Sequence, residues 1–403
     1  MNLFISMILS SVSLRCASRI MRIFCTALHY ASTPIPSWYT SRIWLLKIGY
    51  YKLTREKEFA DDWIWIVDHS VQWGAEKCLL ILGIRKKDLP KDRGLTYSDV
   101  EPIELLPVTK SNGDIVYEQL SQAALKTGVP RAIVADGGSD LKCGINKFID
   151  THKYTAYIYD IKHMVALCIE KSLSSDESWK SFTEFATKAQ RYMRQTDAAH
   201  LAPPNQRSKA RYMNIDKLVG WALRILDMTE NTKQKLSINS IDTKLEWISN
   251  FEDDIRAWGR IINIADKIVT NISVNGLYRG VRDDLKIKLA NEAHCHKAKE
   301  FQTNVLHGVF KYECKAHVGE RLLGSSTIIE SVFGKYKNIE KEQSSSGFTN
   351  LLLALPAMLS DTSSELIKQA MVATKAKQVW GWLKNNIGQS VQAKRKILFS
   401  TRT

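Results

Sequence analysis

Residues 132–141 read AIVADGGSDL: an apolar run that stops at a carboxylate, Asp136, with two glycines behind it. Earlier in the chain, WIWIVDHS at residues 63–70 repeats the pattern, and its apolar run stops at Asp68. An aspartate at the end of a buried strand accepts hydrogen bonds from the turn that follows, which is its ordinary use. Two such residues on neighbouring strands have a second use. If the strand ending at Asp68 lies beside the strand ending at Asp136, both carboxylates emerge together at one sheet edge. There they repel unless a cation lies between them. Magnesium suits that position, because it takes carboxylate oxygens, keeps some of its water and leaves room for phosphate.

The elements that would position the two aspartates can be read from apolar periodicity. Strands are predicted at Trp63–Asp68, Glu76–Arg85, Ile103–Val108, Ala132–Asp136 and Tyr154–Asp160. DIVYEQLSQAALKTG predicts a helix closed by Gly128, and a second helix runs through Ile145–Ile149 with Asp140 as its cap. A hairpin meander that passes into alternating helix and strand implies an α/β fold, with a mixed five-stranded sheet flanked by helices. Strand alternation turns His69 to the face opposite Asp68.

The flanking regions are helical in pattern. In residues 1–58, Ser13 caps a helix to about Leu28, with Leu14, Ile20, Ile23, Phe24 and Ala27 facing inward. Ser37 caps a second helix, with Ile43, Trp44, Leu46 and Tyr50 at helical spacing. The pair reads either as a helix-turn-helix with an unusually long connection or as two helices packed on the next domain. Beyond His163 strands give way to helices, with Trp179, Trp221, Trp247 and Trp258 as core anchors. The domain order expected is a basic helical region (1–58), the first part of the α/β core (59–164), a helical segment (165–318), a further core helix (319–345) and a basic helical tail (346–403).

Composition narrows the partners. The chain has 403 residues, with 57 Lys and Arg against 42 Asp and Glu, a net charge of +15. A surplus of that size is solvated or matched by a polyanion, most commonly nucleic acid. Candidate phosphate contacts are Arg207, Lys209 and Arg211 in a basic loop, and Lys394, Arg395 and Lys396 in the tail. Seven scattered cysteines form no disulfide framework and suit a reducing compartment. No run of 18 apolar residues is present, so no membrane span is expected. Cys314 and His317, beside His294, Cys295 and His296, have spacing too loose for a zinc site and read as ordinary helix residues.

Strands ending in Asp68 and Asp136, in this order of elements, resemble the RNase H-like core of DDE transposases and retroviral-type integrases. The resemblance implies a third acid on a late helix, which TIIESVFGKYK supplies as Glu330. Lys337, seven positions on, stands nearly above Glu330 on the same helix face. That pair resembles the end of a signature in bacterial insertion-sequence transposases, although Leu323 and Ser326 stand where the signature has tyrosine and arginine. YDIKHM gives Asp160-x-x-His163, similar to the Cys-or-Asp, two residues, His motif of hAT-type and Mutator-type transposases. In those families the motif precedes a large helical insertion, and here 194 residues separate Asp136 from Glu330.

The resemblance covers roughly residues 60–345 and implies a chemistry. Asp68, Asp136 and Glu330 would bind two Mg²⁺ or Mn²⁺ ions that clamp a DNA phosphodiester. Water would cut at the element end, and the freed 3′-OH would then attack target DNA. Lys337 would hold a phosphate, and Asp160 and His163 would organise the scissile region. The implied partners are double-stranded DNA, both terminal inverted repeats and target, and a second copy of the chain or a higher oligomer. The implied setting is a bacterial cytoplasm, at the nucleoid. A transposase-derived DNA-binding protein that has lost catalysis is the alternative.

Overall fold

The computed structural model describes residues 1–10, 12–30, 34–73, 76–206, 215–228, 245–341, 349–360, 362–387 and 397–400. The chain divides into two compact units. The first joins Met1–Ile158 to Ser325–Thr403, and the second is Tyr159–Gly324.

The first unit is built on a five-stranded mixed sheet: β1 (Trp63–Trp73), β2 (Glu76–Arg85), β3 (Glu101–Val108), β4 (Ala132–Ala135) and β5 (Ala156–Tyr159). Their order across the sheet is β3-β2-β1-β4-β5. β1 pairs antiparallel with β2, and β2 with β3, as the meander predicts. On its other side β1 pairs parallel with β4, from Ile64 opposite Ala132 to Val67 opposite Ala135. β1 is therefore central and covered on both faces, which explains why its sequence is a continuous apolar run and not an alternation. It also extends past Asp68, where the sequence reading ended it, because the β2 pairing continues to Trp73.

The helices α4 (Gly113–Thr127) and α5 (Ser139–Thr151) cover one face of the sheet. Trp63, Trp65, Val67, Leu79, Ile81 and Ile133 point into this core, where they meet Val116, Leu120, Ile145 and Phe148. Trp65 and Phe148 stack obliquely, with ring centroids 6.0 Å apart. Gly128 ends α4 with φ +84°, and a Cβ there would sit 2.5 Å from the Ala60 carbonyl oxygen, so both conformation and space require glycine.

Three N-terminal helices, α1 (Asn2–Leu9), α2 (Leu14–Ala27) and α3 (Trp38–Thr54), belong to the same unit. The hydroxyls of Ser13 and Ser37 accept from Cys16 N and Thr40 N, so both predicted caps are in place. α3 is deeply packed. Its Lys52 side chain is buried, and its ammonium is held by the carbonyl oxygens of Ala357 and Leu359 and the hydroxyl of Thr362. The inward face assigned to α2 differs from the expectation. Leu14 and Ala17 are buried, but Ile23 is 68% exposed and Phe24 51%, because the second half of α2 extends past the α1 and α3 surfaces that support the first.

After the second unit the chain returns as α12 (Thr327–Lys341), which lies against β1. Its buried Tyr336 stands beside Cys78 of β2, on the face opposite the α4–α5 core. The second unit, among the described residues, holds the helices α6 (Ile161–Ser174), α7 (Glu177–Met193), α8 (Asp216–Leu226), α9 (Glu252–Asn275), α10 (Val281–Lys288) and α11 (His296–Glu313), short 3-10 turns and one isolated bridge between Leu277 and Leu322. Its core is aromatic: Trp179 meets Trp258 edge-on at 4.8 Å, and Phe182 lies 5.1 Å from Trp258. Trp179, Trp221 and Trp258 are buried and Trp247 half-buried, the anchoring role expected of them.

The contact between α3 and residues 350–354 leaves no room for a methyl group at Gly49. A Cβ there would fall 1.8 Å from the Leu353 carbonyl oxygen, a backbone atom that cannot swing aside. Gly49→Ala should destabilise the chain by roughly 2 kcal/mol or more, read as a lowered urea midpoint with an unchanged slope.

Candidate functional site

The β1–β4 register fixes the site. Val67 is paired with Ala135, and the next residue on each strand is an aspartate, Asp68 and Asp136. Neighbouring strands lie about 4.8 Å apart. Side chains alternate, so the face carrying Ile66 and Val134 carries both carboxylates. The pairing that the sequence required of the two aspartates is therefore present.

Each carboxylate accepts from a backbone N–H close by in sequence. Asp68 Oδ1 accepts from the next backbone N–H, that of His69, at 2.7 Å. Asp136 Oδ1 accepts from Gly138 N at 3.0 Å, which closes the Gly-Gly turn over it. The Asp136 carbonyl accepts from the Tyr157 hydroxyl at 2.8 Å, which ties the strand end to β5. Asp136 Oδ2 accepts no hydrogen bond among the described residues. Paired carboxylates with an oxygen to spare are a donor set for a hard divalent cation.

Glu330 is half-buried in the first turn of α12, the helix lying over the face that carries Asp68. Lys337 is exposed, about 10 Å further along the helix axis. Among the described residues no three His, Cys, Asp or Glu side chains are grouped closely enough to hold a metal ion. The register gathers two carboxylates, and Glu330 does not close a group of three with them.

The other side of the same strand end was not foreseen. Asp140 is the second residue of α5, whose N-cap is Gly138, so it does not cap the helix as expected. Its carboxylate turns to the sheet instead and accepts from Lys77 Nζ of β2 at 2.8 Å. His69, on the face opposite Asp68 as alternation requires, has Nδ1 3.7 Å from Asp140 and Nε2 3.3 Å from the Ser111 hydroxyl. Burial pushes the His69 imidazole below its usual value; Asp140 and Asp136 only partly offset this, and Lys77 adds to it, so His69 is neutral at pH 7. For Asp140, burial works upward but is outweighed by Lys77, Ser111 and His69, which bring the carboxyl down to about 2. Asp140 could have been found only from the three-dimensional pairing, because Lys77 lies 63 residues away.

Asp160 and His163 belong to the second unit. Asp160 is buried and caps α6 (Ile161–Ser174), accepting from His163 N at 2.9 Å and lying 3.0 Å from His163 Nδ1. The spacing is thus a local capping pair, with the Asp160 carboxylate against both the backbone N–H and the ring of His163. Arg207, Lys209 and Arg211, with Lys394, Arg395 and Lys396, lie outside the described residues. No helix among the described residues is long and apolar enough to cross a membrane.

No protein-family model matches the chain, and no curated protein matches it in sequence. Among solved structures, the Drosophila P element transposase strand transfer complex is similar at 14% identity and a TM-score of 0.40, over 85% of this chain and 89% of that one.

The Asp140 pair gives a pH-dependent stability with a definite sign. Its folded-state value is depressed, so the contribution is complete above the unfolded value near 4 and is lost as pH falls toward 2. Asp140→Asn should cost about 2 kcal/mol at pH 7 in urea unfolding, and the difference from wild type should shrink across that acid window.

Proposed function

We propose that this chain is a metal-dependent DNA transposase, cutting phosphodiesters at the ends of a mobile element and joining the freed 3′-OH to target DNA. The observation that carries this reading is the β1–β4 register, which sets Asp68 and Asp136 side by side where the parallel pairing of the two strands stops. Glu330 supports it, since it lies in the first turn of a helix that packs on the same face. In this reading Asp68, Asp136 and Glu330 would hold two Mg²⁺ or Mn²⁺ ions. The bound ions would supply positive charge to the phosphodiester, the attacking oxygen and the leaving 3′-oxygen.

The chain's own groups do the rest. The Gly-Gly turn holds the Asp136 carboxylate in place from behind. The neutral His69 and the Asp140–Lys77 pair keep further net charge away from the back of the strand end. Lys337, exposed on α12, is the residue assigned to a phosphate beside the cut. Asp160 and His163 are assigned to the scissile region, and the basic surplus to the phosphates of element ends and target. The protein would work on double-stranded DNA as a dimer or higher oligomer, in a bacterial cytoplasm.

A second reading, a DNA-binding protein derived from such an enzyme and no longer cutting, is favoured by one observation. The carboxylates grouped at the strand ends are two, not three.

Incubating the protein with a duplex carrying the terminal repeats and Mg²⁺ or Mn²⁺ separates the two readings. Cleavage is expected, and Asp136→Asn should lower it by more than about 100-fold while DNA affinity is kept. Undiminished cutting by the Asn variant would remove Asp136 from the site. Binding without cutting by the wild type, with either ion, would establish the second reading.

A further inference from the structure

The N-terminal helices carry a charge pattern to which no role has yet been given. Residues 1–55 contain seven Lys and Arg and no Asp or Glu. Of these, Lys52 is buried in α3 and bonded to carbonyl oxygens. Arg15, Arg19 and Arg22, in contrast, are all exposed on α2. At 100° per residue they fall within an arc of about 60°, so they form one stripe about 10 Å long. Thr26 continues the stripe. Arg15 rests over the Trp38 ring at 5.6 Å, and none of the three pairs with a carboxylate among the described residues. α1 and α3, the helices on which α2 packs, have no acid to offer.

We infer that this face of α2 is a phosphate-backbone contact for double-stranded DNA. The inference rests on the DNA-handling reading above for its partner, and it adds a surface remote in sequence from the carboxylates. Unneutralised arginines side by side repel, and a polyanion is the partner that turns the repulsion into binding. Duplex DNA presents about six charges over the 10 Å that the stripe spans. Arginine suits the task, because its planar fork grips phosphate with two hydrogen bonds.

The orientation of α2 favours DNA over an anionic membrane surface. A helix lying on a membrane buries its apolar side in the headgroups. In the first half of α2 that side is turned to the protein, where Leu14 and Ala17 are buried, whereas in the second half Phe24 and Leu28 are exposed. The arginine stripe begins on that first half, where Arg15 and Arg19 flank the buried Ala17, so the apolar side beneath them is not free to enter headgroups. Nor does α3 compete for the role, since beyond Tyr39 its residues are buried or half-buried as far as Lys52.

The test is fluorescence anisotropy of the full chain with a labelled 30-base-pair duplex of arbitrary sequence, from 50 to 200 mM KCl. Replacing Arg15, Arg19 and Arg22 together by Ala should flatten the slope of log K against log salt by about 2–3 and weaken binding roughly 100-fold at 0.1 M. The triple Lys variant should keep most of the slope, which separates lost charge from lost folding. Unchanged affinity and slope in the Ala variant overturn the proposal. So does the opposite pattern, in which the Ala variant loses binding to phosphatidylserine vesicles and keeps its grip on DNA. The assay involves no chemistry, so a protein that never cuts DNA leaves this result standing, and an active enzyme with an indifferent stripe refutes this inference alone.

Discussion

The parallel pairing of β1 with β4 is the constraint from which the rest of the site follows. β1 is hydrogen-bonded on both edges and covered on both faces, so it admits a charged side chain only where the strand leaves the core. Where the parallel pairing stops, at Val67 and Ala135, the next position on each chain is the first that is not fully buried, and the two lie at the same level. The register is also protected, because slipping β4 by one residue would turn its apolar set to the wrong face and drive Asp136 toward the α4–α5 core. The cost of burying an unpaired carboxylate there holds the two aspartates level.

Around that strand end charge is sorted by face. On the α12 side stand Asp68 and Asp136, each accepting from a nearby backbone N–H. On the α5 side a lysine and an aspartate neutralise each other, and burial disfavours the charged form of the histidine beside them. The negative potential of the pair is therefore not reinforced from behind by the Asp140–Lys77 pair. The arginines of α2 follow the opposite arrangement: like charges left together on a surface with no acid nearby.

What was legible in the sequence was local. Ser13 and Ser37 as caps, Gly128 as a stop and Glu76–Arg85 as a strand each depend on a few neighbouring residues, and each is found where expected. The aspartate pair was legible because two apolar runs ended alike. The inner face of α2 was misread because periodicity identifies an apolar side but cannot say how far the supporting helices reach. Asp140 was misread because a helix-start aspartate usually caps, and nothing local announces a lysine on a strand 63 residues earlier. Glu330 came from a resemblance alone, and no local pattern distinguishes it from any other glutamate on an amphipathic helix.

The first unit is discontinuous in the chain, and that has a consequence for its synthesis. The last strand is complete by Tyr159, yet α12, which covers β1 on the Asp68 side, begins only at Thr327. At ordinary elongation rates of about 5–20 residues per second, the ribosome needs roughly 10–30 s to traverse the interval. Throughout that time Ile64, Ile66, Leu80 and Leu82 form an apolar sheet surface without its own helix. A nascent chain in this condition is a natural client for a holdase until α12 emerges.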